Sequence, residues 1–222
     1  MAKKKKDVNN NVTAKPPEGF IIVNAVEPWL QQQISENFAD NKFFRIVMFY
    51  IIHSPCKESS YSRVDLEKYG WKNPWHYDAF KAEFDKIAGF VDEENYFYVE
   101  SQKNFEQKWN SVGIQSDFYN MDREFVIFSC AGESNPRLDL IHHIRNALSH
   151  GRFTAKYIKD EKDYYIVMED VNDSGGFYKV NARMVLKKST LTKWIDLFEC
   201  KTDDSKKLSQ SLSKKLKKTV SK

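Results

Sequence analysis

The sequence predicts an α+β fold that is mainly helical, with a small antiparallel β-sheet inserted before the last helix. Helical spacing of apolar residues dominates residues 27–91. Three strand-like segments separated by turns follow residue 152, and a capped amphipathic segment comes after them. The chain contains no internal repeat, so we expect one domain over residues 19–200.

The composition is typical of a folded domain with a sizeable core. The chain has 222 residues, of which 41% are hydrophobic and 14% aromatic. No apolar run approaches the roughly 20 residues of a membrane span, and no apolar segment follows the basic start, so we expect neither a membrane anchor nor a secretory signal. Three widely spaced cysteines without a CxxC pair predict reduced thiols and a cytoplasmic protein.

The positive charge is concentrated at the two ends. Four lysines occupy residues 3–6, and residues 201–222 hold eight lysines and two aspartates, whereas the remainder is acidic. Residues 1–18 are polar and predict a disordered basic segment. Residues 201–222 predict a basic amphipathic tail, because apolar residues recur every fourth position between 208 and 220. Basic ends suit contact with RNA or a membrane surface, but they are equally typical of a solubility device.

The first half of the body predicts helices with few strands. Residues 27–54 indicate one or two helices, and residues 73–91 indicate another that Asn73 caps. A short strand is possible at 20–25 and another at 95–101, and the rest of 92–130 is open. The apolar residues at helical spacing are Phe44, Val47, Met48 and Ile51 in the first segment, and Phe80, Phe84 and Ile87 in the second.

The last third carries clearer local signals. Residues 134–151 begin with a cap and a proline and stop at Gly151, which predicts a helix with a glycine just past its end. Strands are predicted at 153–158, 163–171 and 177–186. A final helix is predicted over 189–200, with Ser189 or Thr190 as its cap.

One face of the helix predicted at 134–151 has an unusual composition. Projected at about 100° per residue, the apolar residues form one arc and the polar residues form the other. The polar arc could simply face water, but it holds three histidines and one arginine and neither lysine nor glutamate. Histidine titrates near neutral pH, and arginine binds phosphate in a bidentate fashion. The apolar arc is Leu140, Ile141, Ile144, Ala147 and Leu148; the polar arc is Asp139, His142, His143, Arg145, Asn146, Ser149 and His150.

The spacing within the polar arc predicts a homodimer. Asn146 and His150 are four residues apart and lie side by side, whereas Arg145 lies on the opposite rim of the arc from His150. One helix does not easily focus Arg145 and His150 on a single atom. Two copies packed about a two-fold axis can pair them across the interface.

The segment "IRNALSHGRF", residues 144–153, resembles the Arg-x4-His signature of the HEPN superfamily (higher eukaryote and prokaryote nucleotide-binding domains), which includes many ribonucleases. Arg145, Asn146 and His150 match that signature. The helix-end position, the strands that follow and the final helix are similar to HEPN nucleases of plasmid and phage defence. The resemblance covers residues 135–200 and implies a HEPN-like helical bundle over 19–200.

The resemblance implies a metal-independent endoribonuclease without a cofactor, acting at a composite site in a homodimer. The ribose 2′-OH would attack the adjacent phosphate, with His150 moving a proton, Arg145 stabilising charge on the phosphate and Asn146 orienting one of them. His142 and Arg152 would bind substrate. RNA, a second copy and an antitoxin or regulatory protein are the expected partners, and a toxin or antiphage effector is the expected role.

Two other functions remain open at this point. A HEPN-like module that binds RNA or a nucleotide without cleaving it would carry the same residues, and a protein-interaction factor would match the motif by chance. Arg152 stands where HEPN toxins controlled by adenylylation often carry tyrosine, so that subfamily is not expected. Arg152 is then a phosphate contact or an ordinary surface residue. We expect His143 at the surface, and His53 and His76 in structural positions at helix ends.

Overall fold

A computed structural model of the chain describes residues 38–56, 71, 73–100, 105, 107, 108, 111, 122–130, 135–174 and 177–200. The segments 1–18 and 201–222 and the possible strand at 20–25 lie outside the described residues. Within the described part of the chain, no helix is long and apolar enough to cross a membrane.

A five-stranded mixed sheet organises the described residues, with strand order β1-β2-β5-β4-β3. β1 and β2 run parallel, and the other neighbouring pairs are antiparallel. The strands are β1 (Tyr96–Val99), β2 (Phe125–Ser129), β3 (Phe153–Ile158), β4 (Asp163–Ser174) and β5 (Phe177–Lys187).

The four described α-helices pack on one face of this sheet, whereas Phe105 packs with the buried residues of the other face. The core between the helices and the sheet includes Phe128 and Met168 of the sheet and Trp194 of the last helix, whose ring stacks on Phe84 with 4.2 Å between ring centroids. The helices are α1 (Asn41–Val47), which continues into a π-helical turn (Met48–Ile52), a 3-10 turn (Pro74–His76), α2 (Asp78–Ala88), α3 (Pro136–Ser149) and α4 (Lys188–Glu199).

The predicted fold class, a mainly helical α+β protein built as a HEPN-like bundle, is wrong. The fold is α/β, with a five-stranded mixed sheet and four α-helices among the described residues. All five residues of β2 are buried, so the strand is a continuous apolar run without the alternation that marks a half-exposed strand. β2 pairs with β5 on one side and with β1 on the other. The predicted three-stranded sheet is therefore extended to five strands, on which the helices pack.

The local predictions in the last third are confirmed more closely than those in the first. β3 has the predicted bounds, β4 is three residues longer than predicted and β5 is one residue longer. In α1 and the π-helical turn that follows, the predicted buried face is wrong. Ile46, Phe49 and Tyr50 are buried, whereas Phe44 is 64% exposed. Residues 46–52 are apolar at every position, so spacing alone does not select the buried face.

The start of α4 is held by two carboxylates from the sheet instead of by Ser189 or Thr190. Asp163 Oδ2 accepts a hydrogen bond from the Ser189 backbone N–H at 3.3 Å, and Glu124 Oε1 accepts one from the Lys187 N–H at 2.8 Å. Glu124 is 8% exposed. Burial raises the pKa of Glu124 to about 7, although hydrogen bonds from Thr190 and from the Lys187 N–H partly oppose this shift.

We expect Glu124→Gln to change the pH dependence of stability. The native state holds the Glu124 proton more tightly than the unfolded chain, so the free energy of unfolding falls as the pH rises from 4.5 through about 7. The amide keeps an oxygen for the Lys187 N–H and carries no charge. Glu124→Gln should therefore be more stable than the native protein at pH 8, by about 1–3 kcal/mol, and the difference should vanish near pH 4.5.

Urea unfolding followed by tryptophan fluorescence at both pH values measures this difference. Glu94→Gln, at an exposed position, is the matched control and should show no such pH dependence. A Glu124→Gln protein that is less stable than the native one at pH 8 would contradict the expectation.

Candidate functional site

Helix α3 presents the polar arc, and its orientation follows from its ends and its apolar side. Asn135 Oδ1 accepts from the Arg137 N–H at 3.0 Å, Pro136 lies in the first turn, and Gly151 takes a φ of 65° just past the end. The Arg137 side chain donates to Asp85 Oδ1 at 2.8 Å, which ties α3 to α2. The predicted apolar arc is confirmed as buried: Leu140, Ile141, Ile144, Ala147 and Leu148.

His143 is the exception on the polar arc, because it lies in the interface between α3 and the sheet. Only 8% of His143 is exposed, so the predicted surface placement is wrong. Its Nδ1 lies 2.6 Å from Asp170 Oδ2, and its Nε2 lies 2.8 Å from the Ser129 carbonyl oxygen. A carbonyl only accepts, so Nε2 carries a proton, and the Nδ1–Oδ2 contact holds a second one. His143 and Asp170 therefore form a buried pair that shares a proton.

A chain of hydrogen bonds extends from this pair to Arg145. Asn146 Nδ2 donates to Asp170 Oδ2 at 3.2 Å, so this carboxylate oxygen contacts both His143 and Asn146 of α3. Arg145 Nη1 donates to Asn146 Oδ1 at 2.9 Å. The sheet thus orients Asn146, and Asn146 orients the Arg145 guanidinium. Asp170 was not predicted as a site residue; its signal was a carboxylate within the apolar strand "YYIVMEDV".

A cavity of about 540 Å³ opens beside this chain, between the polar side of α3 and the sheet. It lies at the carboxyl ends of the parallel strands β1 and β2, and β4 and β5 close its floor at a β-bulge where Asn181 is the extra residue. Bulges redirect side chains and are common beside functional sites. The lining residues are Glu100, Ser129, Cys130, Asp139, His142, His143, Asn146, Asp170, Asn172 and Asn181.

Two titratable groups in the cavity wall are shifted. His142 is an exposed residue of α3, but the cavity wall encloses part of its ring, and this burial lowers its pKa; the positive charges of His143 and Arg145 lower it further. The neutral imidazole is therefore favoured at neutral pH. Burial, reinforced by the negative charges of Asp139 and Glu100, raises the pKa of Cys130 to about 12, so its thiol stays protonated and is a poor nucleophile.

Three predicted site residues, Arg145, His150 and Arg152, lie outside the lining of this cavity. His150 is exposed at the C-cap of α3, and its imidazole is not part of the hydrogen-bonded chain that holds Arg145. Arg152 lies on the opposite face of the sheet, where it pairs with the fully buried Glu169 at 2.7 Å. Arg183 donates to the same carboxylate at 2.9 Å. Arg152 and His142 therefore do not face one common cleft within a single chain.

No group of three or more histidine, cysteine, aspartate or glutamate side chains is placed to hold a metal ion in the part of the chain that the structure describes. Compared with known proteins, the chain matches no family model, no curated protein and no solved structure. A function must therefore be inferred from the chemistry of α3 and the cavity beside it.

We expect substitutions of His143 and Asp170 to have strongly non-additive effects on the free energy of unfolding. Asp170→Asn leaves the buried His143 imidazole without its carboxylate partner, and His143→Gln leaves the buried Asp170 carboxyl group without its imidazole partner. Each substitution should cost about 3 kcal/mol, because breaking one side of a buried pair exposes the other to an uncompensated desolvation penalty. The double variant should cost at least about 1 kcal/mol less than the sum.

Urea denaturation at pH 7 of the native protein, both single variants and the double variant measures this coupling. Asp160→Asn, in the exposed turn between β3 and β4, is the control for the removal of one carboxylate. Strictly additive losses would show that His143 and Asp170 do not act as a pair.

Proposed function

We propose that the protein is a metal-independent endoribonuclease whose cleavage site is formed by the polar side of α3. The observation that carries this proposal is the chain of hydrogen bonds from Asp170 through Asn146 to Arg145, on a helix that also exposes the imidazoles of His142 and His150. A guanidinium can stabilise charge on a phosphate, and an imidazole can transfer the protons of phosphodiester cleavage.

The proposed reaction transfers phosphorus from one oxygen to another within the RNA. The ribose 2′-oxygen forms a bond to the adjacent phosphorus, and the bond from phosphorus to the 5′-oxygen of the next nucleotide breaks. The His150 imidazole takes the 2′-OH proton and then delivers it to the leaving 5′-oxygen. The products are a 2′,3′-cyclic phosphate and a 5′-hydroxyl. We assign substrate contact to His142.

Arg145 is assigned to the phosphate because its orientation is set before substrate arrives. The amide oxygen of Asn146 holds one edge of the guanidinium, and Asn146 is in turn held by Asp170. A group that is already oriented loses less conformational freedom when it stabilises the charge that develops on the phosphate. Arg152 is not assigned to the substrate, because its guanidinium pairs with Glu169 on the other face of the sheet.

A homodimer supplies the geometry that one chain lacks. Arg145 and His150 lie on opposite rims of the polar arc, and only Arg145 is held by the chain of hydrogen bonds. The exposed side chains of His142, Ser149 and His150 leave this side of α3 open to a second copy. Two-fold packing of α3 against α3 brings Arg145 of one chain toward His150 of the other. A toxin or antiphage effector is the role that suits such an enzyme.

We expect purified protein to cleave single-stranded RNA in the presence of EDTA and to leave cyclic-phosphate ends. His150→Ala should lower the rate by at least about 100-fold, through loss of proton transfer. Arg145→Ala should lower it by about 100- to 1,000-fold, through loss of charge stabilisation. Gel analysis of 5′-labelled RNA, with and without phosphatase treatment of the ends, measures both the rate and the product.

The matched controls for this experiment are His76→Ala and Arg123→Ala, which replace exposed residues of the same types outside α3. Both should cleave at the native rate. Cleavage that EDTA abolishes, or that survives His150→Ala, would contradict the mechanism. RNA binding without cleavage by the native protein would instead support the alternative, a non-catalytic RNA-binding module.

We expect inactive variants to complement each other when their subunits are mixed. A mixed dimer of Arg145→Ala and His150→Ala chains retains one Arg145 and one His150, and these two face each other across the interface. Activity should therefore reappear after co-refolding, to a sizeable fraction of the native rate. Light scattering should give about twice the chain mass of 26.1 kDa. A monomer that cleaves RNA, or a mixed dimer without activity, would rule out the shared site.

A further inference from the structure

The cavity beside α3 contains groups that the cleavage reaction does not use. We propose that it is a base-binding pocket that selects guanine on the 5′ side of the scissile phosphate, which rests on the proposed function. The cleavage groups act on ribose and phosphate, which are common to all RNA sequences. The lining of the cavity supplies the side chains that distinguish one base from another.

The size and position of the cavity fit a nucleobase. Its volume of about 540 Å³ lies within the range of roughly 300–1,000 Å³ for small-molecule sites. It opens at the carboxyl ends of β1 and β2, the edge at which open α/β sheets bind ligands. Asn146 belongs both to its wall and to the chain that holds Arg145. A phosphate on Arg145 therefore places the attached nucleoside at the mouth of the cavity.

The charges in the wall favour a ligand that donates hydrogen bonds. Asp170 is already paired with His143, whereas Glu100 and Asp139 add further carboxylates to the same wall. Their field reaches the interior, because both contribute to the raised pKa of Cys130. A phosphate inside the cavity would be repelled by these carboxylates. An uncharged base with N–H groups would be attracted.

Guanine is the base whose donors match a carboxylate. Its Watson–Crick edge carries the N1–H and the N2 amino group side by side, so one carboxylate, which we assign to Glu100, accepts both. Adenine, cytosine and uracil each place an acceptor next to their donor on that edge, and the acceptor would face the same negative charge. The O6 acceptor of guanine is suited to an amide donor such as Asn172. The His142 ring in the wall offers a surface on which a base can stack.

The arrangement of the carboxylates argues against a metal ion as the occupant. Within the described residues, no three potential ligands converge on one point, although several line the cavity. Donors and acceptors that are spread over a wall fit an extended planar ligand better than an ion, which needs its ligands at one short distance.

Binding and cleavage together test the pocket. His150→Ala protein, which keeps the whole lining of the cavity, is titrated calorimetrically with the 3′-monophosphates of guanosine, adenosine, cytidine and uridine. We expect 3′-GMP to bind at least about tenfold more tightly than the others, since a bidentate pair discriminates between bases by about 1–3 kcal/mol. Adding Glu100→Gln should reduce this preference to less than about threefold. Glu94→Gln, an exposed residue outside the lining, should leave the preference intact.

The cleavage arm uses RNA oligonucleotides with one guanosine at varied positions. The native protein should cut on the 3′ side of that guanosine, and Glu100→Gln should cut less selectively. Equal binding of the four nucleotides, or a preference that Glu100→Gln leaves unchanged, would overturn the pocket. Unselective cleavage would overturn it while leaving the ribonuclease proposal standing. Glu100-dependent binding of 3′-GMP without any cleavage would support the pocket and overturn the ribonuclease.

Discussion

The contact between the His143 imidazole and the Asp170 carboxylate joins the helical layer to the sheet at the site. Burying both groups carries a desolvation cost that their mutual attraction often fails to repay, so such a pair is weak evidence of stabilisation. Here both ring nitrogens have acceptors, and the carboxylate accepts again from Asn146. The apolar arc of α3 fixes which side of the helix is buried, and the directional hydrogen bonds of the pair define the rotation of the helix about its axis more sharply. The position of every other polar group on α3 follows from that rotation.

Because side chains alternate along a strand, neighbouring residues of β4 contact different layers of the molecule. Glu169 and Asp170 are adjacent, so their side chains point to opposite faces of the sheet. Asp170 meets the helical layer, whereas Glu169 is fully buried on the other face with Arg152 and Arg183. The β-bulge directly after Asp170 ends this regular alternation and brings Asn181 to the cavity. The Asp170 and Glu169 clusters thus lie on opposite faces of the sheet. The Asp170 cluster, which faces α3, is connected to Arg145 by hydrogen bonds.

The sequence predicted features that local chemistry determines and missed features that depend on pairing between distant segments. The caps, the apolar arc and the glycine end of α3 are local, and so are the turns that bound β3, and these predictions are confirmed. The pairing of β2 with β1 and β5 joins segments far apart in the chain, and β2 has no alternation to reveal its two buried faces. The burial of His143 has the same origin. On a helical wheel it belongs to the polar arc, and only its partners on β2 and β4 place it inside.

A helix that packs on a sheet favours the proposed shared site more strongly than the predicted helical bundle would. In a bundle, several neighbouring helices could have carried the missing groups. Here the sheet occupies one flank of α3 and engages His143 and Asn146 directly. The polar side chains that stay exposed form a narrow strip that runs from His142 to Ser149 and His150, with Arg145 at its edge. Chemistry depends on the arrangement of such groups more than on the fold that carries them. In the proposed homodimer, a second copy of α3 would close over this strip and bring together the imidazole and the guanidinium that one copy holds apart.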